Sequence, residues 1–265
     1  MKTLILADLH WDRWNHITRD PLEGCEDLLE GVYTLILAGD IAHEPLKKWP
    51  RAIEYVRKRM PYADVHIFPG NHDFYGSRLD REPLMAACAQ KAGASYAQMR
   101  QILCGDTRFL CATLWTDFEL GGDFEVNKRR AVDGMNDFRR IHVGESWRAL
   151  WCSDLIRLHR QHRAWLEDRL AETWPGRTIV VTHHAPHPAV IKRYDVDLSA
   201  AFGSDLGDLM TGPSAPDLWL YGHTHDLIDA RVGRTEIRSV ALGYPDHLPR
   251  GSDIRERIER MIIDV

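Results

Sequence analysis

Residues 66–76 read HIFPGNHDFYG, an apolar run that stops abruptly at Gly70-Asn71-His72-Asp73. A run this short and this apolar reads as a buried strand, so four residues that bury badly at its end need a reason. Two earlier segments share the design: TLILADLH (3–10) ends in Asp8 and His10, and YTLILAGD (33–40) ends in Asp40. Their spacing of roughly 30 residues is that of a strand, a crossover helix and a parallel strand. In open α/β sheets ligands gather outside the carboxyl ends of the strands, so the three polar ends predict one shared site.

Working outward, Lys48 to Met60 carries Ala52, Ile53, Val56 and Met60 at helical spacing, with Pro50 expected in the first turn. Further helices are predicted at about 82–93 and 153–172. The later half turns to strands: QILCGD (101–106), RFLCATLW (108–115), RTIVVTHH (177–184), DLWLYGHTH (217–225), ARVG (230–233) and EIRSVAL (236–242). Gly105-Asp106 and Gly233 predict hairpin turns among them. The expectation is an α/β protein, one domain over residues 1–265, with two packed mixed β-sheets flanked by helices. Stretches 116–150 and 187–213 resist assignment and read as active-site loops, unless they hold helices.

Composition narrows the partners. The 265 residues are 44% hydrophobic, enough for a sizeable core, and 34 basic against 39 acidic residues leave a net charge of −5. That balance gives no bulk pull toward nucleic acid or anionic membrane, and no basic stripe for a duplex. Cys25, Cys88, Cys104, Cys111 and Cys152 are scattered and form no Cys-x-x-Cys pair, which suits a reducing compartment. Asp8 and His10 interrupt the first apolar run too early for a signal segment, and no membrane span is visible. A soluble, cytoplasmic protein is expected.

The polar strand ends have a chemistry in common. Asp8, His10, Asp40, Asn71, His183, His223 and His225 offer carboxylate, imidazole and amide oxygen, donors that suit Mn, Fe, Zn or Ni, without the thiolates of a structural zinc site. Seven donors exceed the three or four of a catalytic zinc site and fit two ions about 3.5–4 Å apart around a bridging carboxylate. Gly39, Gly70 and Gly222 precede these residues, where a residue without Cβ lets the chain turn beside a crowded site.

DLH (8–10), GD (39–40), GNHD (70–73), THHAP (182–186) and GHTH (222–225), in this order, resemble the motif set of the calcineurin-like metallophosphoesterases. The resemblance spans residues 3 to about 245 and implies a four-layer sandwich of that family. It implies that Asp8, His10 and His225 hold one divalent or trivalent ion, that Asn71, His183 and His223 hold the other, and that Asp40 bridges them. It leaves His72 free to assist the leaving oxygen of a substrate phosphate, with Asp73 orienting the His72 ring. It further implies a hydroxide held between two ions that attacks phosphorus in line, with no covalent enzyme intermediate. Of the doublet His183-His184, one side chain points each way along a strand, and the family pattern selects His183. The substrate is then a small or medium-sized phosphate monoester or diester. The alternative is a non-catalytic scaffold, a use of this fold known for a retromer subunit.

Other residues carry plainer readings. His159 and His162 sit three apart on a helix with no carboxylate nearby in sequence, and read as packed or solvated. His16, His43, His66, His142 and His247 default to the surface or to support of the site, and His184 and His187 to its neighbourhood. Lys128-Arg129-Arg130 and Arg139-Arg140 read as a solvated face or a phosphate grip, with Trp115, Asn136, Lys192, Arg193 and Tyr194 as candidates for shaping access.

Overall fold

The computed structural model of the chain describes residues 2–192, 197–246, 248 and 254–265. In chain order its strands are β1 (Lys2–Leu6), β2 (Val32–Ala38), β3 (Asp64–Phe68), β4 (Ser77–Arg78), β5 (Ser95–Tyr96), β6 (Arg100–Cys104), β7 (Thr107–Ala112), β8 (Ile141–Val143), β9 (Arg148–Ala149), β10 (Thr178–Thr182), β11 (Leu218–Tyr221), β12 (Ala230–Val232), β13 (Thr235–Ser239) and β14 (Ile262–Asp264). One sheet runs β14-β1-β2-β3-β5, parallel but for β14 at its edge. The second runs β12-β13-β11-β10-β7-β6, with four parallel central strands and an antiparallel strand at each edge. A small third sheet, β4-β8-β9, uses residues from the stretch that resisted assignment.

Alternation along the second sheet sets the layers. Phe109, Cys111, Ile179, Val181, Leu218 and Leu220 join the apolar core shared with β1 and β2, while Leu110, Val180, Trp219 and Tyr221 turn outward to Leu166 and Leu170 of the helix Cys152–Ala171. The outer face of the first sheet is covered by the helix Pro45–Arg59 through Trp49, Ala52, Ile53 and Val56. Each such fully buried aliphatic side chain stabilises the packing by roughly 1.5–3 kcal/mol. With both faces covered, the central parallel strands carry continuous apolar runs.

The helix Pro45–Arg59 corrects one expectation. Pro45, not Pro50, occupies its first turn, and Pro50 lies inside the helix. The missing N–H of Pro50 frees the Leu46 carbonyl, which receives the Cys88 thiol from the helix Glu82–Lys91 at 3.8 Å. The stretch 116–150 is not a long loop: it holds the helices Phe124–Gly134 and Asp137–Arg140 besides β8 and β9. Asp123 caps the first of these by accepting from the Val126 N–H at 3.0 Å. Within 187–213 lie a short 3₁₀ turn and the helices Ser199–Phe202 and Gly207–Thr211; Arg193 and Tyr194 lie outside the described residues. Among the described residues, no helix is long and apolar enough to cross a membrane.

The two large sheets meet where their strands end. The Ala7 N–H donates to the Val240 carbonyl and the Leu242 N–H to the Ala7 carbonyl, each at 3.0 Å, so the residue after β1 pairs with the chain leaving β13. The loops after β1 and β2 are tied by bonds from Asp8 N–H to Gly39 C=O at 3.0 Å and from His10 N–H to Asp40 C=O at 2.9 Å. These ties draw the carboxyl ends of both sheets to one place.

Candidate metal centre

Asp8 and His10 follow β1, Asp40 follows β2, Asn71 and His72 follow β3, His183 follows β10, and His223 and His225 follow β11. All are buried except His72 and His225, which are partly exposed. Asp8, His10, Asp40, His223 and His225 hold left-handed backbone, with φ from 41° to 67°. Each such conformation costs of order 1–3 kcal/mol in a residue with a Cβ, and clusters of them mark sites whose geometry is imposed by the surroundings. Gly70 and Gly222 serve the site through space: a Cβ on Gly70 would collide with the Asp40 carboxylate, and one on Gly222 with that of Asp8.

The donor atoms fall into two outer groups joined at one carboxylate, and between them His10, Asp40 and His72 form a third set with donors within 4.8 Å of one another. Asp8, His10 and His225 bring donors within 4.8 Å of one another, as do Asp40, His183 and His223. Asp40 faces both groups: its Oδ1 lies 3.4 Å from His183 Nε2 and its Oδ2 3.7 Å from His10 Nε2. In the first group His225 Nε2 lies 3.1 Å from both His10 Nε2 and Asp8 Oδ1. Main-chain donors anchor the carboxylates, Asp8 through the His223 N–H at 2.9 Å and Asp40 through the His72 N–H at 2.8 Å. Asn71 turns its amide oxygen to 3.2 Å from His183 Nε2 because its amide nitrogen donates to Asp137 at 2.8 Å, and Tyr75 donates to the same Asp137 oxygen at 2.6 Å.

These residues fit a pair of cations. Neither Asp8 nor Asp40 meets a Lys or Arg at ion-pair distance among the described residues; both face only histidines. His223 Nε2 is buried with no hydrogen-bond partner. Burial pulls His183 toward the neutral form, but Asp40 outweighs it and holds the ring up at about 9. Burial instead pushes His10 and His223 well below their ordinary value. Convergent carboxylate and imidazole donors with an unpaired ring nitrogen are what a first-row divalent ion requires.

His72 stands at the edge of this centre. Its Nε2 lies 4.0 Å from Asp40 Oδ2, and its Nδ1 lies 3.0 Å from His43 Nε2 and 3.1 Å from the Tyr244 hydroxyl. Tyr75 stacks on the His72 ring at 4.2 Å between centroids, and Arg140 lies over Tyr75 at 4.7 Å. Burial pushes His72 down to about 4 against the pull of Asp40, so the ring is neutral near neutral pH.

The partner expected for His72 is not the one observed. Asp73 accepts from the N–H groups of Ile41 and Ala42 at 3.1 Å, from Gly70 N–H at 2.9 Å and from the Trp49 indole at 2.9 Å. It ties the loop after β3 to the loop after β2, and His43 and Tyr244 take the ring-orienting position. The histidine doublet separates as strand geometry requires: His183 faces Asp40, whereas His184 places Nδ1 3.1 Å from the Thr113 carbonyl and packs between Trp115 and His223. His159 and His162 are both buried; His162 Nδ1 accepts the Leu114 N–H at 3.1 Å, and His159 has a carboxylate partner after all, Asp117 at 3.6 Å. Trp115 is buried against Phe74 and His184 and does not line an opening. Asp137 and Tyr244 are the supporting residues that sequence reasoning missed. His43, read as a surface or supporting residue, stands in the supporting place, 3.0 Å from His72.

A family model described as calcineurin-like phosphoesterase matches residues 1–227. The crystal structure of a phosphopantetheinyl hydrolase from Mycobacterium tuberculosis is similar, with a TM-score of 0.72 and 17% identity over 95% of this chain and 93% of that one. A dimetal phosphatase from Danio rerio has a TM-score of 0.51 at 17% identity, over 90% of this chain and 86% of that one. At such identities the likeness is one of fold. No curated protein matches the chain in sequence.

Proposed function

The chain belongs to the calcineurin-like phosphoesterase family, and from that membership we propose that it hydrolyses small or medium-sized phosphate monoesters or diesters at a dinuclear metal centre. The observation that carries the reading is Asp40, one buried carboxylate with an oxygen turned to each of two histidine groups. Asp8, His10 and His225 would hold one ion, Asn71, His183 and His223 the other, and Asp40 both. Two such ions supply positive charge for the phosphoryl oxygens and acidify water enough for attack near neutral pH. Mn, Fe, Zn and Ni all suit the donor set.

The remaining work belongs to side chains of this protein. Asp137 keeps the Asn71 oxygen turned inward by holding its amide nitrogen. A Tyr244 hydroxyl donating to His72 Nδ1 leaves the ring proton on Nε2, the nitrogen nearer Asp40. From there it donates a hydrogen bond to a phosphoryl or leaving oxygen. His43 and Tyr75 hold the ring in that orientation.

The test is hydrolysis of p-nitrophenyl phosphate and bis-p-nitrophenyl phosphate by manganese-loaded protein, beside Asp40→Ala and His72→Ala variants. Turnover that is lost with Asp40 and reduced with His72 supports the reading, and the preferred ester assigns monoesterase or diesterase. Failure to turn over either ester, with two metal ions per chain bound, would sink it.

A further inference from the structure

At the amino ends of β7, β10 and β11 lies a cavity of about 300 Å³, with Arg108, Glu172, Trp174, Thr178, Asp217 and Arg234 among its lining residues. The metal centre is at the other ends of these strands. β10 is five residues long, so Thr178 at its start stands about 16 Å along the strand from His183 just past its end. Arg108 is the unusual member of the lining. It is only 3% exposed, and because a guanidinium keeps its charge, a buried one ordinarily has a carboxylate beside it. Arg108 makes no ion pair with any described residue. Its Nε donates to Thr178 Oγ1 at 2.9 Å and its Nη2 to the Glu172 carbonyl at 3.1 Å, and the guanidinium lies 5.4 Å from the ring centre of Trp174. Nη1 donates to no described residue and is not sealed away, which leaves it facing the cavity.

Arg234, on the turn from β12 to β13, brings a second guanidinium to the same cavity. Its Nε donates to the Ala215 carbonyl at 3.0 Å, and it too makes no ion pair with any described residue. Of the two carboxylates in the lining, Glu172 is turned to Arg169 at 2.7 Å, and Asp217 accepts the Thr178 N–H at 2.9 Å through Oδ2. Two guanidinium groups therefore face one carboxylate without a cationic partner, and the lining keeps a net positive charge. We infer that this cavity is a second binding site, separate from the metal centre, and that it takes a phosphate group held by Arg108 Nη1 and the guanidinium of Arg234. Guanidinium N–H groups make charge-assisted hydrogen bonds to such oxygens, and a bound phosphate supplies the counter-charge that the buried Arg108 lacks. The site does not depend on the hydrolase reading, since none of the candidate metal ligands lines the cavity.

The experiment is equilibrium dialysis of the full chain against inorganic phosphate and against phenylphosphonate, once loaded with manganese and once after chelation, which silences binding to metal. The expected result is one phosphate bound per chelated chain, with affinity about tenfold or more weaker in Arg234→Ala and in Arg108→Gln. Arg234 is exposed, so its variant keeps the test alive even where loss of the buried Arg108 disturbs folding. Phenylphosphonate binding more tightly than phosphate supports the site as a receptor for the phosphate of a larger molecule whose frame lies along Trp174, and equal binding supports it as a receptor for the free ion. No phosphate on the chelated chain, or an affinity that is the same in Arg234→Ala as in wild type, overturns the second site. Neither of those results bears on hydrolysis at the metal centre, which is tested separately by the Asp40 and His72 variants.

Discussion

Asp40, Asp73 and Asp137 are three buried carboxylates within one small region, and their surroundings give them three different tasks. Asp40→Asn removes the charge shared by the two donor groups; kcat is expected to fall by about 10³-fold or more, with metal content dropping from two ions per chain by elemental analysis. Asp137→Ala releases the Asn71 amide, and manganese affinity measured by calorimetry is expected to weaken by about 10–100-fold, the usual cost of losing such a supporting partner. Asp73→Ala strands the N–H donors of Ile41, Ala42, Gly70 and Trp49, so urea unfolding should show a loss of about 3–5 kcal/mol. Stability unchanged within about 1 kcal/mol would return Asp73 to a role at His72 alone. That Asp8, His10, Asp40, Asn71, His183, His223 and His225 come together was legible in the sequence, because their types and spacing repeat at strand ends. Asp137 and Tyr244 were not legible, since each comes from a segment without periodicity and acquires its meaning only from what it touches.

Among the elements, the helix Cys152–Ala171 carries a testable charge on the fold. Burial pushes His162 down to about 3, and the neighbouring His159 adds to the shift. The unfolded chain then binds a proton near pH 6.5 that the folded protein refuses until about pH 3. Stability contributed by neutral His162 is therefore intact above the unfolded value and falls as pH drops through the window between the two, by about 1.4 kcal/mol per pH unit. Urea unfolding of wild type and His162→Asn between pH 6 and pH 4 under the same metal conditions should give a shallower slope for the variant, whose amide oxygen still accepts the Leu114 N–H. Identical slopes would remove His162 from the acid sensitivity of the protein. Strands and long helices were readable from their apolar periods, whereas the helix Phe124–Gly134 was not. It buries only Asn127 and Ala131, so its sequence shows almost no apolar face.

At the scale of the whole molecule, both donor groups draw on both large sheets: Asp8 and His10 come from one and His225 from the other, as do Asn71 on one side and His183 and His223 on the other. Metal held there adds stability by mass action, about 2.7 kcal/mol at a hundredfold excess over Kd. Chelation is thus expected to lower Tm by roughly 5–10 °C, checked by calorimetry with and without manganese. The crossover spacing of the first three strands foretold parallel pairing, and the apolar runs of the second half foretold a second, mixed sheet with hairpins at Gly105-Asp106 and Gly233. The order of strands within each sheet was not foretold, because it depends on pairings between segments far apart in sequence. The Ala7–Ala241 pairing, which brings the two sheets together, also sets a timetable. A centre assembled from both halves would be complete only after they have docked, so metal held there would join late, on the native side of the folding barrier. Metal should then slow unfolding while leaving the refolding rate nearly untouched, making the ion a brake on departure from the native state and not a guide toward it.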